Sequence, residues 1–120
     1  MIGKKTWVFP DAERPAQTEE GFLDAHESLL VLNPNSDEVL LNIRFWYENR
    51  DPKEVSVTVG ANRVRNFRIT DNSDFKEAVP GNGIQYAIGV FSSMPIVCQY
   101  GRLDTTQSNM AFLSCIGYSE

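Results

Sequence analysis

Histidine is almost absent from this chain of 120 residues, which holds one, His26, and cysteine is scarce, with two, Cys98 and Cys115. One imidazole and two thiols set in strand-like apolar runs do not make a zinc ligand set. Two cysteines are also too few to carry a disulfide-dependent scaffold, so both are expected as free, buried thiols. No metal and no cofactor is expected. Positive charge is also short: 11 Lys and Arg stand against 16 Asp and Glu, a formal net charge of -5. That balance argues against direct nucleic-acid binding and polybasic membrane attachment as the main activity. No apolar run approaches the roughly 20 residues of a membrane span. The opening residues, Met1-Ile2-Gly3-Lys4-Lys5, lack the apolar region and cleavage site of a signal peptide, which makes the cytoplasm the expected compartment. Catalytic signatures are missing as well. There is no glycine-rich phosphate loop after a strand, no Gly-x-Ser-x-Gly elbow, and no His-x-x-x-His or Cys-x-x-Cys spacing.

What the sequence does have is short alternating runs separated by turn residues. Lys5 to Phe9 reads as a first strand, and Pro10 to Gly21 as an acidic loop. Glu27 to Asn33 is a strand ending at the turn cluster Asn33-Pro34-Asn35-Ser36-Asp37. Val39, Leu41, Ile43, Phe45 and Tyr47 then alternate with Leu40, Asn42, Arg44, Trp46 and Glu48, the period-2 pattern of a half-buried strand. A hairpin joining these two segments is expected. Val55, Val57 and Val59 face inward on the next strand. Arg63 to Ile69 shows a phase slip that a β-bulge near Asn66 would explain. Ser73 to Val79 has room for one helical turn. Ile84 to Val90, Pro95 to Asp104 and Ala111 to Tyr118 complete the set. The pattern predicts an all-β fold, one antiparallel, jelly-roll-like β-sandwich of about eight strands forming a single domain over residues 1–120.

The stretch from Pro95 to Asp104 organises the candidate chemistry. Ile96, Val97 and Cys98 are apolar, and Gln99, Tyr100, Arg102 and Asp104 then bring an amide, a phenol, a guanidinium and a carboxylate to the strand end. Two readings stand. The strand leaves the core and Arg102 and Asp104 pair at the surface, or a rigid strand presents convergent groups to a ligand. His26-Glu27 could serve acid–base chemistry only with a fixed partner, which the sequence does not place. Arg63, Arg65 and Arg68 form a basic group suited to an anion, or to pairing with the acidic loops. Trp46 occupies the polar register of its strand, which marks an interface or ligand surface.

Several segments together resemble the Anabaena sensory rhodopsin transducer family. They are Trp7 in the first strand, His26-Glu27 leading into Leu29-Leu30-Val31-Leu32-Asn33, Ile43 to Tyr47 followed by Asp51-Pro52, the Arg-rich Val59 to Asp71, and Ala111 to Tyr118. The most specific piece is Pro95-Ile96-Val97-Cys98-Gln99-Tyr100-Gly101-Arg102-Leu103-Asp104. The resemblance implies a β-sandwich that assembles as a homo-oligomer, a tetramer, and works as a non-enzymatic signalling module. Its partner would be a membrane photoreceptor or another receptor, and its ligand a small polar metabolite, sugar-like or anionic. The ligand-binding residues it implies are Trp7, His26, Glu27, Arg63, Arg68, Gln99, Arg102 and Asp104. An adaptor that docks on a receptor through Trp46 without any small ligand is the alternative. Asn66 stands where the family pattern leads one to expect a histidine, and it lacks that residue's charge switch near neutral pH.

Overall fold

The strand with the cleanest alternation in sequence is also clean in the structure: Val39, Leu41, Ile43 and Phe45 are buried, while Leu40 and Asn42 are exposed. The structure, a computed structural model, describes residues 1–14, 26–69, 74–104, 111–115 and 117–120, with Asp104 and residues 111–115 described as backbone. Its strands are β1 (Lys4–Glu13), β2 (His26–Asn33), β3 (Val39–Tyr47), β4 (Lys53–Val59), β5 (Arg63–Arg68), β6 (Gln85–Asp104), β7 (Ala111–Cys115) and β8 (Tyr118–Ser119). A short 3-10 turn at Lys76–Ala78 fills the helical turn expected before β6.

Every strand pairing is antiparallel. One sheet runs β4-β3-β6-β1-β8, and the other runs β5-β2-β6-β7. Strand β6 therefore sits at the centre of both. Its first half, from Gln85 to Ser92, pairs with β1 and β3, and its second half, from Val97 to Leu103, pairs with β2. Tyr86 and Tyr100 both reach Glu27 with their hydroxyls. Fully extended, the 14 steps between them would span about 46 Å, more than the 43 Å longest dimension of the molecule. The strand folds over instead. The bend lies at Ser92-Ser93-Met94-Pro95, where the pairing with β1 jumps from Thr6↔Phe91 to Lys4↔Ile96. Pro95 has no N–H to lose there. Gly3 passes so close that a Cβ would lie 2.3 Å from the Ile96 carbonyl oxygen, and its φ of +99° is one that glycine alone adopts easily.

The core lies between the sheets. Phe67 stacks on Phe75 at 5.4 Å, Phe75 meets Phe45 edge-on at 5.5 Å, and Phe45 meets Tyr86 at 5.7 Å, a run of rings that crosses from one sheet to the other. Such contacts add to the area they bury.

Four expectations are corrected. The first strand runs on through Pro10 to Glu13, where a loop was expected, because a register shift between Phe9 and Ala12 accommodates the proline. The rest of that loop lies outside the described residues. β2 and β3 form no hairpin: they belong to opposite sheets. Asn33, fully buried, directs the crossing. Its amide nitrogen donates to the carbonyls of Asp37 (2.9 Å), Val59 (3.1 Å) and Gly60 (3.0 Å), and its Oδ1 accepts from the Asn35 N–H at 3.0 Å. β5 has no bulge, for it pairs with β2 in unbroken register from Ser28↔Arg68 to Asn33↔Arg63. The apparent slip arises because Val64 simply faces solvent, 65% exposed. Finally, Ser92 to Pro95 bends a continuous strand and does not separate two.

Candidate functional site

Glu27 is completely buried, the one fully buried carboxyl among the described residues. Alternation along β2 turns it inward with Leu29 and Val31. There it accepts a hydrogen bond from Tyr86 Oη at 2.9 Å and another from Tyr100 Oη. The two phenols come from the two halves of β6, so one carboxyl ties both sheets together. Arg102 stands opposite Glu27 in the β2–β6 register. Burial raises the pKa of the Glu27 carboxyl, against the opposing pull of the Tyr100 and Tyr86 hydrogen bonds, the Arg102 charge and a backbone hydrogen bond from Glu13. Both tyrosines are pushed up as well, first by burial and then by the neighbouring carboxyl. Arg102 is half-buried, and among the described residues its guanidinium has the Glu27 carboxyl as a charge neighbour and no side-chain hydrogen bond. Its guanidinium carries five N–H donors in a planar fork at the strand end.

The residues expected to form one site fall in several places. Glu27 and Arg102 come together at the pole where β2 begins and β6 ends. Asp104 is the last residue of β6, opposite Ala111. His26 precedes Glu27 and so points to the opposite face of the sheet. There Arg68 Nη2 lies 3.1 Å from His26 Nε2. A guanidinium only donates, so Nε2 is the acceptor and a neutral ring carries its proton on Nδ1. Gln99 is exposed on that outer face too, in the row Gln99–Leu30–Asn66. Trp7 is held at the other pole, its indole N–H between the carbonyls of Lys4 and Ile96, both at 3.1 Å. That is five residues, about 17 Å, from Ala12, the partner of Tyr86. Arg63 faces Asn33, about 20 Å along β2 from Glu27.

The basic group on β5 is likewise divided. Arg65 donates to the Thr58 carbonyl (2.8 Å), pairs with Asp74 (2.6 Å) and lies 4.5 Å over the Phe67 ring. It clasps the open side of the sandwich, where the edge strands β4 and β5 approach each other. Cys98 is buried and free, its thiol pushed up to about 12 by burial, which leaves it unreactive. Among the described residues no three His, Cys, Asp or Glu side chains stand close enough to share a metal ion.

Tyr86 shares the inward parity of Ile88 and Val90, which marks it as a core or stacking aromatic in sequence; what the sequence does not place is its hydroxyl on Glu27. Arg14, 7% exposed and donating to the Pro80 carbonyl at 2.8 Å, gave no signal inside a stretch without periodicity.

Fold and pole define a class: a small antiparallel β-sandwich whose layers are tied by a carboxyl held between two phenols. A family model described as Anabaena sensory rhodopsin transducer matches residues 2–119, and the chain belongs to this family. Among solved structures it is similar to the Thermotoga maritima protein 1070, with 29% identity over 100% of this chain and 97% of that one and a TM-score of 0.86. It is also similar to the Anabaena sensory rhodopsin transducer, with 25% identity over 89% of this chain and 94% of that one and a TM-score of 0.73. No curated protein matches the sequence. Among the described residues no helix is long and apolar enough to cross a membrane.

Proposed function

We propose that the protein is a non-catalytic signalling adaptor that takes a polar metabolite, sugar-like or anionic, at the pole around Arg102 and passes the signal to a receptor as a homo-oligomer, a tetramer, in the cytoplasm. Membership of the transducer family supports the adaptor role, and a membrane receptor of the sensory rhodopsin kind is the partner that membership implies. The observation that carries the metabolite reading is Arg102, a half-buried guanidinium with no side-chain hydrogen bond among the described residues, beside a carboxyl whose two oxygens are already taken by phenols. Such a group binds a carboxylate, a phosphate or vicinal hydroxyls with two parallel hydrogen bonds. Because Glu27 is committed to Tyr86 and Tyr100, its part is to hold Arg102 by charge, while the ligand meets the arginine.

A thermal-shift screen against sugars, sugar acids and phosphorylated metabolites tests this. A ligand at about 100 times its dissociation constant adds about 2.7 kcal/mol to the folded state, a rise of several degrees. Arg102→Ala should remove the rise and keep the fold. A rise that survives in Arg102→Ala, or no rise across the panel, argues against this site.

A specific feature favours a second reading, docking without a small ligand. On the outer face of the first sheet Trp46 meets Phe91 edge-on at 6.3 Å, with Arg44 5.6 Å over its ring. Gly89 clears the space: a Cβ there would lie 2.7 Å from the indole. Trp46→Ala should reduce binding to a receptor about tenfold or more, the effect of losing an aromatic anchor, and leave metabolite binding unchanged. Pull-down affinity on the two variants separates the readings.

A further inference from the structure

We infer that a second small-molecule site, for a zwitterion of the α-amino-acid type, lies in the cleft between the β3–β4 turn and the start of β6. The cleft, half-open and about 270 Å³ in volume, is lined by Tyr47, Glu48, Asn49, Arg50, Ile84 and Gln85. That is at the small end of ligand pockets, which run from about 300 Å³ for drug-sized molecules, and it suits a metabolite of a few heavy atoms. None of its lining residues belongs to the Arg102 site.

The walls are built in advance. Arg50 lies 4.6 Å over the Tyr47 ring, which fixes the guanidinium without using up its hydrogen bonds. Tyr47 Oη donates to the Ala78 carbonyl at 3.4 Å and so holds the ring. On the other wall the Gly83 N–H donates to the Arg14 carbonyl at 2.7 Å. Gln85 Nε2 donates to Asp11 at 3.1 Å, which leaves the Gln85 amide oxygen as an acceptor. Among the described residues neither Arg50 nor Glu48 makes an ion pair, although only Asn49 separates them in sequence.

The chemistry of the lining selects the class. Arg50 already covers the Tyr47 ring, so that face is not available to stack a sugar. What remains is a forked cation, a carboxylate and two amides. A carboxylate on Arg50 and an ammonium on Glu48 or the Gln85 oxygen satisfy this set, whereas a neutral sugar leaves both charges unpaired. The site also adjoins the buried network: Tyr47 pairs with Tyr86 across β3 and β6, and Tyr86 donates to Glu27.

Titration calorimetry or amide chemical shifts with the twenty common amino acids and their hydroxy-acid analogues, at millimolar concentration, is the test. We expect one or a few amino acids to bind, with shifts at residues 47–50 and 83–85. Arg50→Gln should weaken binding about ten- to a hundredfold, the loss of hydrogen bonds to a charged group, and Arg50→Lys should give an intermediate loss. Glu48→Gln should bring amino and hydroxy acids to equal affinity. Both turn positions are exposed, and an unchanged melting temperature confirms the fold of each variant. Absence of binding by every amino acid, equal binding by wild type and Arg50→Gln, or preference for neutral sugars overturns the inference. A response lost in Arg102→Ala but intact in Arg50→Gln belongs to the strand-end site and overturns this assignment without touching the other.

Discussion

Glu27→Ala is expected to lower the unfolding free energy by about 2–6 kcal/mol, read from the urea midpoint. Two buried phenol hydroxyls lose their acceptor, and each buried donor left without a partner costs about 1–3 kcal/mol. For a domain of this size that is a large part of the total. Glu27→Gln should cost far less, since an amide oxygen can accept from one phenol and the amide N–H can donate to the other. The pair of variants also isolates a pH effect. Burial raises the Glu27 pKa in the folded chain above its ordinary 4.5. Between the two values the folded protein keeps a proton that the unfolded chain has released, so stability falls as pH rises through that window. The contribution is whole below about pH 4.5 and lost above the raised folded-state value. The stability of wild type relative to Glu27→Gln should therefore decline from acid toward neutral pH. A difference that stays flat over this range would sink the account of a desolvated carboxyl.

Phe75→Ala should cost about 3–5 kcal/mol, the loss typical of a buried aromatic cut back to alanine, although Phe75 belongs to no strand. The residue is fully buried and sits between Phe67 of one sheet and Phe45 of the other. Removing it breaks two ring contacts at once and leaves a void that two rigid sheets cannot close. Equilibrium unfolding measures the effect, and a loss below about 1 kcal/mol would mean that the segment before β6 packs loosely, as surface connections do.

Local patterns were legible in the sequence because they depend on local rules. The period-2 burial of β3 and the inward valines of β4 follow from side-chain alternation alone. The pairing of the strands was not legible in the same way. Asn33-Pro34-Asn35 has hairpin chemistry, yet the buried Asn33 amide spends its bonds on Val59 and Gly60, far along the chain, and so directs the connection across the sandwich. Val64 looked like a slipped core residue because an exposed valine and a buried one read alike in sequence. For the site, the resemblance put His26 and Glu27 in one ligand-binding set, whereas alternation turns neighbours on a strand to opposite faces. Alternation could not reveal that Tyr86 and Tyr100 converge. That depends on the bend at Ser92 to Pro95, a property of the folded chain as a whole.

The placement of β6 sets the order in which this protein can be made. Strands β1 to β5 leave the ribosome first, and the strand that completes both sheets comes after them. A nascent chain ending before Gln85 can form the β3–β4 hairpin and the β2–β5 pair, with side chains such as Asn33 and Arg65 reaching between them, but it lacks the strand that pairs with both and has no strand partner for β1. Until about residue 104 has been synthesised, the apolar faces of both layers stay open, a state prone to wrong association. A single strand, made after the five it organises, thus draws the two sheets together in one step.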